Sequence, residues 1–143
     1  TMLRFLAEII WAPSAALEPY LAWEEIDSTS ARVTMTCKGL SATGVFRYNT
    51  AGDVTEFEAQ RYYFRKEGST LETWHIHMEE GSYKEFQGIR MPAKSSVTWK
   101  FKEGDFTWYE LEIDEVSYNS HAVPPKHDAP TRQAHSNRQS CSE

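Results

Sequence analysis

Two cysteines in 143 residues, Cys37 and Cys141, are too few for a disulfide framework, so a packed core has to carry the fold. One lies in a strand-like segment and the other in a polar terminus; both read as thiols and leave the compartment open. Nowhere do about 18 apolar residues run together, which excludes a spanning helix and gives no transmembrane segment. Basic charge is scarce: Lys+Arg number 15 against 21 Asp+Glu, for a formal charge of −6. Non-specific nucleic-acid binders need Lys and Arg to displace phosphate counterions, so no nucleic acid is expected as a partner. A serine nucleophile elbow, a phosphate-binding glycine loop, a dinucleotide fingerprint and a compact Cys–His pair are also missing. No cofactor is expected, and no pair of carboxylates stands out as acid and base.

Aromatic side chains are what the sequence does have. All nineteen lie between Phe5 and Tyr118, whereas residues 119–143 contain no aromatic, no Leu and no Ile. That terminus holds three of the six prolines and three of the five histidines, His121, His127 and His135. It cannot bury enough apolar surface to offset its ordering entropy, so it reads as a disordered tail. Lys126, Arg132 and Arg138 against Asp128 and Glu143 give the tail +1, leaving −7 on residues 1–118, which form the folding unit.

Residues 2–11 have helical spacing, with Leu3, Leu6 and Ile10 on one face and Arg4 and Glu8 opposite. Pro13 ends that helix. The charge at Glu8 and the bulk of Trp11 argue against a secretory signal, which favours the cytoplasm unless the native N-terminus is missing. From Trp23 the period becomes 2. Ala31, Val33, Met35 and Cys37 alternate with Arg32, Thr34, Thr36 and Lys38, and residues 39–42 form a turn. Residues 44–48 and 54–64 pair across a four-residue loop at 50–53, with Asn49 opposite Val54 and Phe46 facing Phe57. Further strands are read at 71–80, 83–86, 89–91, 95–101 and 106–118, with a Gln87-Gly88 turn. In the last pair Val97, Trp99, Phe101, Tyr109, Leu111 and Ile113 point inward, while Lys100 and Lys102 oppose Trp108, Glu110, Glu112 and Asp114 outside.

The fold class is mainly β (α+β): a curved antiparallel meander, or half-barrel, of about 7–9 strands with one N-terminal helix on its concave face. One helix is short cover for so aromatic a sheet, and uncovered apolar surface marks a ligand, a partner or missing chain. The candidate ligand-binding residues are Leu6, Ile10 and Trp11 on the helix, with Phe46, Tyr48, Phe57, Trp74, Trp99 and Tyr109 on the sheet. His75 and His77, two apart on a strand, point the same way and could ligate a metal. Plain alternation also explains them, with Trp74, Ile76 and Met78 buried and His75, His77 and Glu79 wet, so no metal site is assigned.

Several segments carry a family resemblance. They are the run from Leu3 to Leu17, Trp23 to Thr34, Phe46-Arg-Tyr-Asn49 with Gly52-Asp53, Tyr83 to Pro92, Trp99, and Tyr109 to Asn119. Together they resemble the C-terminal half of an uncharacterised bacterial family of unknown function, over roughly residues 2–119. The resemblance implies longer family members with a portion ahead of the helix, so the chain would be a fragment or a truncated member. It also implies a curved sheet similar to lipoprotein-carrier and lipoprotein-receptor (Lol-type) proteins, which bind acyl chains between half-barrel and helices. It carries over no catalytic residue, and His75-Ile-His77 departs from the family pattern.

Three functions follow, in order. The first is a non-enzymatic module binding an apolar or lipid-like small molecule between helix and half-barrel. The second is an assembly module that self-associates or pairs with missing sequence through an open sheet edge. The third is a metal-dependent enzyme using His75 and His77.

Overall fold

The computed structural model describes residues 2–118; the tail assigned to 119–143 lies outside the described residues. The chain opens with helix α1 (Met2–Glu8) and a 3-10 turn (Pro13–Leu17). Nine strands follow: β1 (Leu21–Asp27), β2 (Ser30–Cys37), β3 (Leu40–Tyr48), β4 (Val54–Arg65), β5 (Gly68–Met78), β6 (Tyr83–Phe86), β7 (Ile89–Pro92), β8 (Lys94–Phe101) and β9 (Gly104–Glu112). Seven form one open antiparallel sheet in the order β1-β2-β3-β4-β5-β8-β9, a meander interrupted once, and β6-β7 is a separate hairpin. The expected mainly-β fold, a curved sheet with one N-terminal helix, is the fold observed.

Helix α1 is shorter than the apolar spacing predicts. It stops at Glu8, and Ile10, Trp11 and Ala12 donate to the carbonyls three residues back, tightening the chain before Pro13. The β2-β3 turn also differs from the expected four-residue one. Lys38 and Gly39 both have positive φ (49° and 79°), the signature of a two-residue type I′ hairpin, so β3 begins at Leu40. Gln87 and Gly88, at 50° and 81°, make the same turn between β6 and β7, as the sequence suggests.

Register follows the apolar pattern. Phe46 pairs with Phe57 as predicted, but a bulge brings Tyr48 rather than Asn49 opposite Val54. The Phe57 ring then lies over Gly44, where a Cβ would collide with it. The main core joins Leu6, Ala7, Ile9 and Ile10 to Val33, Phe46, Phe57, Trp74, Ile76 and Val97 on the inner face of the sheet. Ring pairs tie adjacent strands: Phe46 and Phe57 at 4.7 Å, and Phe57 and Trp74 edge to face at 6.1 Å.

The helix is not the only cover. Met91, Pro92 and Ala93, at the end of β7, are buried. Trp11 Nε1 donates to the Pro92 carbonyl at 3.1 Å, and the Tyr118 hydroxyl reaches the Trp11 carbonyl at 3.3 Å. At the β3-β4 loop, Arg90 grips the Asp53 carboxylate with both terminal nitrogens, and its guanidinium lies 4.6 Å from the Tyr83 ring centroid. Tyr83 donates to the Val54 carbonyl at 2.8 Å. The β6-β7 hairpin is thus a second lid, fastened at that end by polar contacts.

Candidate functional site

Alternation sends every second side chain of the sheet inward, but the cover is uneven. Leu6, Phe46 and Phe57 are at most 1% exposed and belong to a closed core. Along β9 the same face is open: Phe106, Trp108 and Tyr109 are 49%, 50% and 47% exposed. A bulge produces this margin. Trp99 pairs with Phe106 and Thr98 with Thr107, yet Val97 pairs with Tyr109, leaving Trp108 as the extra residue. Inward parity shifts across Trp108, so Phe106 and Tyr109 share the inner face, and Trp108 lines it too instead of standing outside as simple alternation predicts. The ring centroids of Trp108 and Tyr109 are 5.4 Å apart.

Between α1 and β8-β9 runs a groove of about 710 Å³, floored by Trp74, Ile76 and Val97 and walled by Trp11, Ala12, Trp108, Tyr109, Leu111 and Ile113. Arg4, Glu8 and Arg61 supply its charges. Its size falls in the range of roughly 300–1,000 Å³ common to small-molecule clefts. A wider cleft of about 1070 Å³ lies beneath Met2 and Leu3 and is lined by Tyr63, Trp99 and Phe106 among others. Arg61 and Trp108 line both spaces, so the two meet there. A separate depression of about 480 Å³ lies by the β3-β4 loop.

The nine candidate residues do not form one site. Trp11, Trp74 and Tyr109 line the groove, and Trp99 lines the adjoining cleft. Ile10, Phe46 and Tyr48 border the separate depression, and Leu6 and Phe57 border none of these spaces. Sequence reasoning passed over Arg61, Trp108, Leu111 and Ile113 as groove residues. For Arg61 the signal was there, since Phe57, Ala59, Arg61 and Tyr63 share one parity. For Trp108 there was none, because a bulge is set by pairing across strands.

Arg61 is the charged residue of the inner face at this point. Its guanidinium carbon lies 4.8 Å from the Trp74 ring centroid and 5.7 Å from that of Trp99, a cation–π arrangement over two rings. Burial, and after it the positive charge of Arg4, press its pKa below the ordinary arginine value. The guanidinium stays protonated all the same. At the fastened end, burial and then the charge of Asp53 push the Tyr83 phenol up to about 12. The hydrogen bonds from Arg90 hold the Asp53 carboxyl below the usual carboxylate range.

His75 and His77 lie on the opposite, outer face, paired across β4 with Glu58 and Glu56 respectively. His75 Nε2 is 3.5 Å from a Glu56 carboxylate oxygen, and His77 is exposed. Among the described residues no group of three His, Cys, Asp or Glu side chains is arranged to hold a metal. The outer-face lysines pair differently from the expected contacts of Lys100 and Lys102 with Trp108, Glu110, Glu112 and Asp114. Lys100 meets Asp105 at the hairpin end and Lys94 meets Glu112 at 3.5 Å, as their registers dictate. No helix among the described residues is long and apolar enough to cross a membrane.

A family model covers residues 1–118, from α1 through β9 and both sheets. The chain belongs to the Family of unknown function (DUF6920). No curated protein and no solved structure matches it. Membership in DUF6920 assigns no activity and no residue role, so the groove has to be argued from its own lining.

Proposed function

We propose that this chain is a non-enzymatic binding module that holds an apolar, lipid-like molecule in the groove between α1 and the sheet. One observation carries the reading: three aromatics of β9 stay about half exposed beside a core that is otherwise closed, along a space of small-molecule size. A ligand that covered Trp108, Tyr109 and Leu111 would complete the core the helix leaves unfinished. The family resemblance of the sequence implies a curved sheet like that of bacterial lipoprotein-carrier proteins, in which acyl chains lie between half-barrel and helices, and that implication supports the same reading. Titration with a fluorescent acyl-chain analogue, read by quenching of Trp74 and Trp108, tests it. Saturable binding at micromolar protein is the expected result, and its absence removes the proposal.

A second reading is an assembly module. The sheet is open, so among the described residues β1 and β9 each present one unpaired edge, and Trp23 and Ile26 on β1 are 40% and 45% exposed. Sedimentation at increasing concentration separates the two: concentration-dependent dimers favour assembly, and a sharp monomer that still binds the analogue favours the module.

A further inference from the structure

Arginine is an unusual choice for an inward position of a sheet. At Arg61 the alternation Phe57, Ala59, Arg61, Tyr63 places a cation where the neighbouring pattern has apolar groups. Two carboxylates neighbour it, one by register and one across the groove, and both are engaged with other arginines. Glu72 is the cross-strand partner of Arg61, yet its Oε1 faces Arg65 at 3.4 Å. Glu8, across the groove on α1, bonds Arg4 at 2.7 Å. Arg61 makes no ion pair or hydrogen bond among the described residues, and its guanidinium rests on the Trp74 and Trp99 rings.

A second orphan shares the position. Trp74 is 3% exposed, and its indole Nε1–H is buried with no acceptor among the described residues. An unmade bond of this kind costs about 1–3 kcal/mol, which is why buried donors are normally paired. Guanidinium and indole N–H groups can only donate. The junction of the two spaces thus presents the Arg61 guanidinium, a full positive charge with no counter-ion among the described residues, above an apolar floor. From Trp99 to Ser95 that floor runs about 13 Å at ~3.3 Å per strand residue, which suits an acyl chain of medium length.

Resting on the proposed apolar-ligand reading, we propose that Arg61 is the headgroup site for a single-chain amphiphile bearing a carboxylate. Its tail lies along the groove beneath α1 and its carboxylate sits against the Arg61 guanidinium. An arginine fork matches a carboxylate through two parallel N–H···O bonds, and both aromatic rings keep it oriented. A neutral alcohol of equal length can accept one hydrogen bond but leaves the guanidinium charge unanswered.

The test uses the full chain and three probes, dodecanoate below its micellar concentration, dodecanol below its solubility limit, and acetate, with tryptophan fluorescence as the readout. Dodecanoate is expected to bind about ten- to hundred-fold tighter than dodecanol, the worth of a charge-assisted hydrogen bond, and acetate not at all. Arg61→Gln is expected to lower dodecanoate affinity about tenfold or more and dodecanol affinity far less, so that the preference between the two probes collapses. Arg61→Lys, which keeps the charge and loses the fork, is expected to fall between. Equal affinity of the wild-type chain for dodecanoate and dodecanol overturns the headgroup assignment and leaves the apolar groove standing. So does an Arg61→Gln chain that still prefers dodecanoate. Failure of both long-chain probes to bind overturns the groove reading and the headgroup with it.

Discussion

The inner face of the sheet is closed from β2 through β5 to β8 and open along β9, although aromatic residues line both parts. Phe46 and Phe57 lie beneath α1 and are at most 1% exposed, while Trp108 and Tyr109 carry similar rings at about half exposure. The difference is in the partners. Over the first region the helix and the chain that follows it descend onto the sheet, and the β6-β7 hairpin is fastened at the loop end by Arg90–Asp53 and Tyr83–Val54. Along β9 no comparable element arrives among the described residues, and a bulge brings Trp108 to the inner side, where it stays half exposed. Two arginines on one strand repeat the lesson. Arg65 rests on Phe101 and Tyr63 and is answered by Glu72, whereas Arg61 rests on Trp74 and Trp99 and is answered by no carboxylate among the described residues.

Substitutions can break this contrast from either side. The largest effect is expected at the closed part: Phe57→Ala should cost about 3–5 kcal/mol in urea unfolding, because a fully buried ring leaves a cavity its neighbours cannot fill. Gly44→Val comes next, at about 1–3 kcal/mol, since its Cβ would drive the Phe57 ring out of place; a stability equal to wild type would refute that packing. Tyr83→Phe should cost about 0.5–1.5 kcal/mol by leaving the Val54 carbonyl without its donor.

The same substitution has a pH signature. Folding raises the Tyr83 pKa to about 12, so the folded state holds the phenol proton more tightly than the unfolded chain does. Its contribution is complete below about pH 10 and lost as pH rises toward 12. Tyr83→Phe should therefore flatten the alkaline limb of the stability curve. At the open margin Trp108→Ala should change stability by less than about 1 kcal/mol while weakening acyl-analogue binding several-fold. Unchanged binding there would detach the groove from the proposed function.

The smallest effect is expected for Asp53→Asn. Asp53 has a lowered folded pKa, so its stabilisation is present above its unfolded value of about 3.9 and lost as pH falls through the folded one. Wild-type and variant melting curves should differ slightly at neutral pH and converge in acid.

Much of the fold was legible because its signals are local. Period-2 alternation in β2, β3 and β5 located the strands and their inward faces, and Phe46 opposite Phe57 followed from matching apolar faces across a short loop. The helix was overextended because Ile9, Ile10 and Trp11 continue its apolar spacing, whereas the chain there tightens ahead of Pro13. The candidate site was legible only in part. Trp11, Trp74 and Tyr109 reach the groove, but Leu6 on the helix and Phe57 on the sheet are as apolar and inward-facing and are sealed in the core. Composition and periodicity report which way a side chain points, not what descends on it.

The sequence by itself determined a helix followed by an antiparallel meander with one aromatic face, because hydrophobic period and turn chemistry act over a few residues. Tertiary structure alone decided where that face is covered. The β6-β7 lid, the bulge at Trp108 and the unanswered charge of Arg61 all arise from contacts between segments distant along the chain. Burial depends on those contacts, and so does the groove that remains where they are missing.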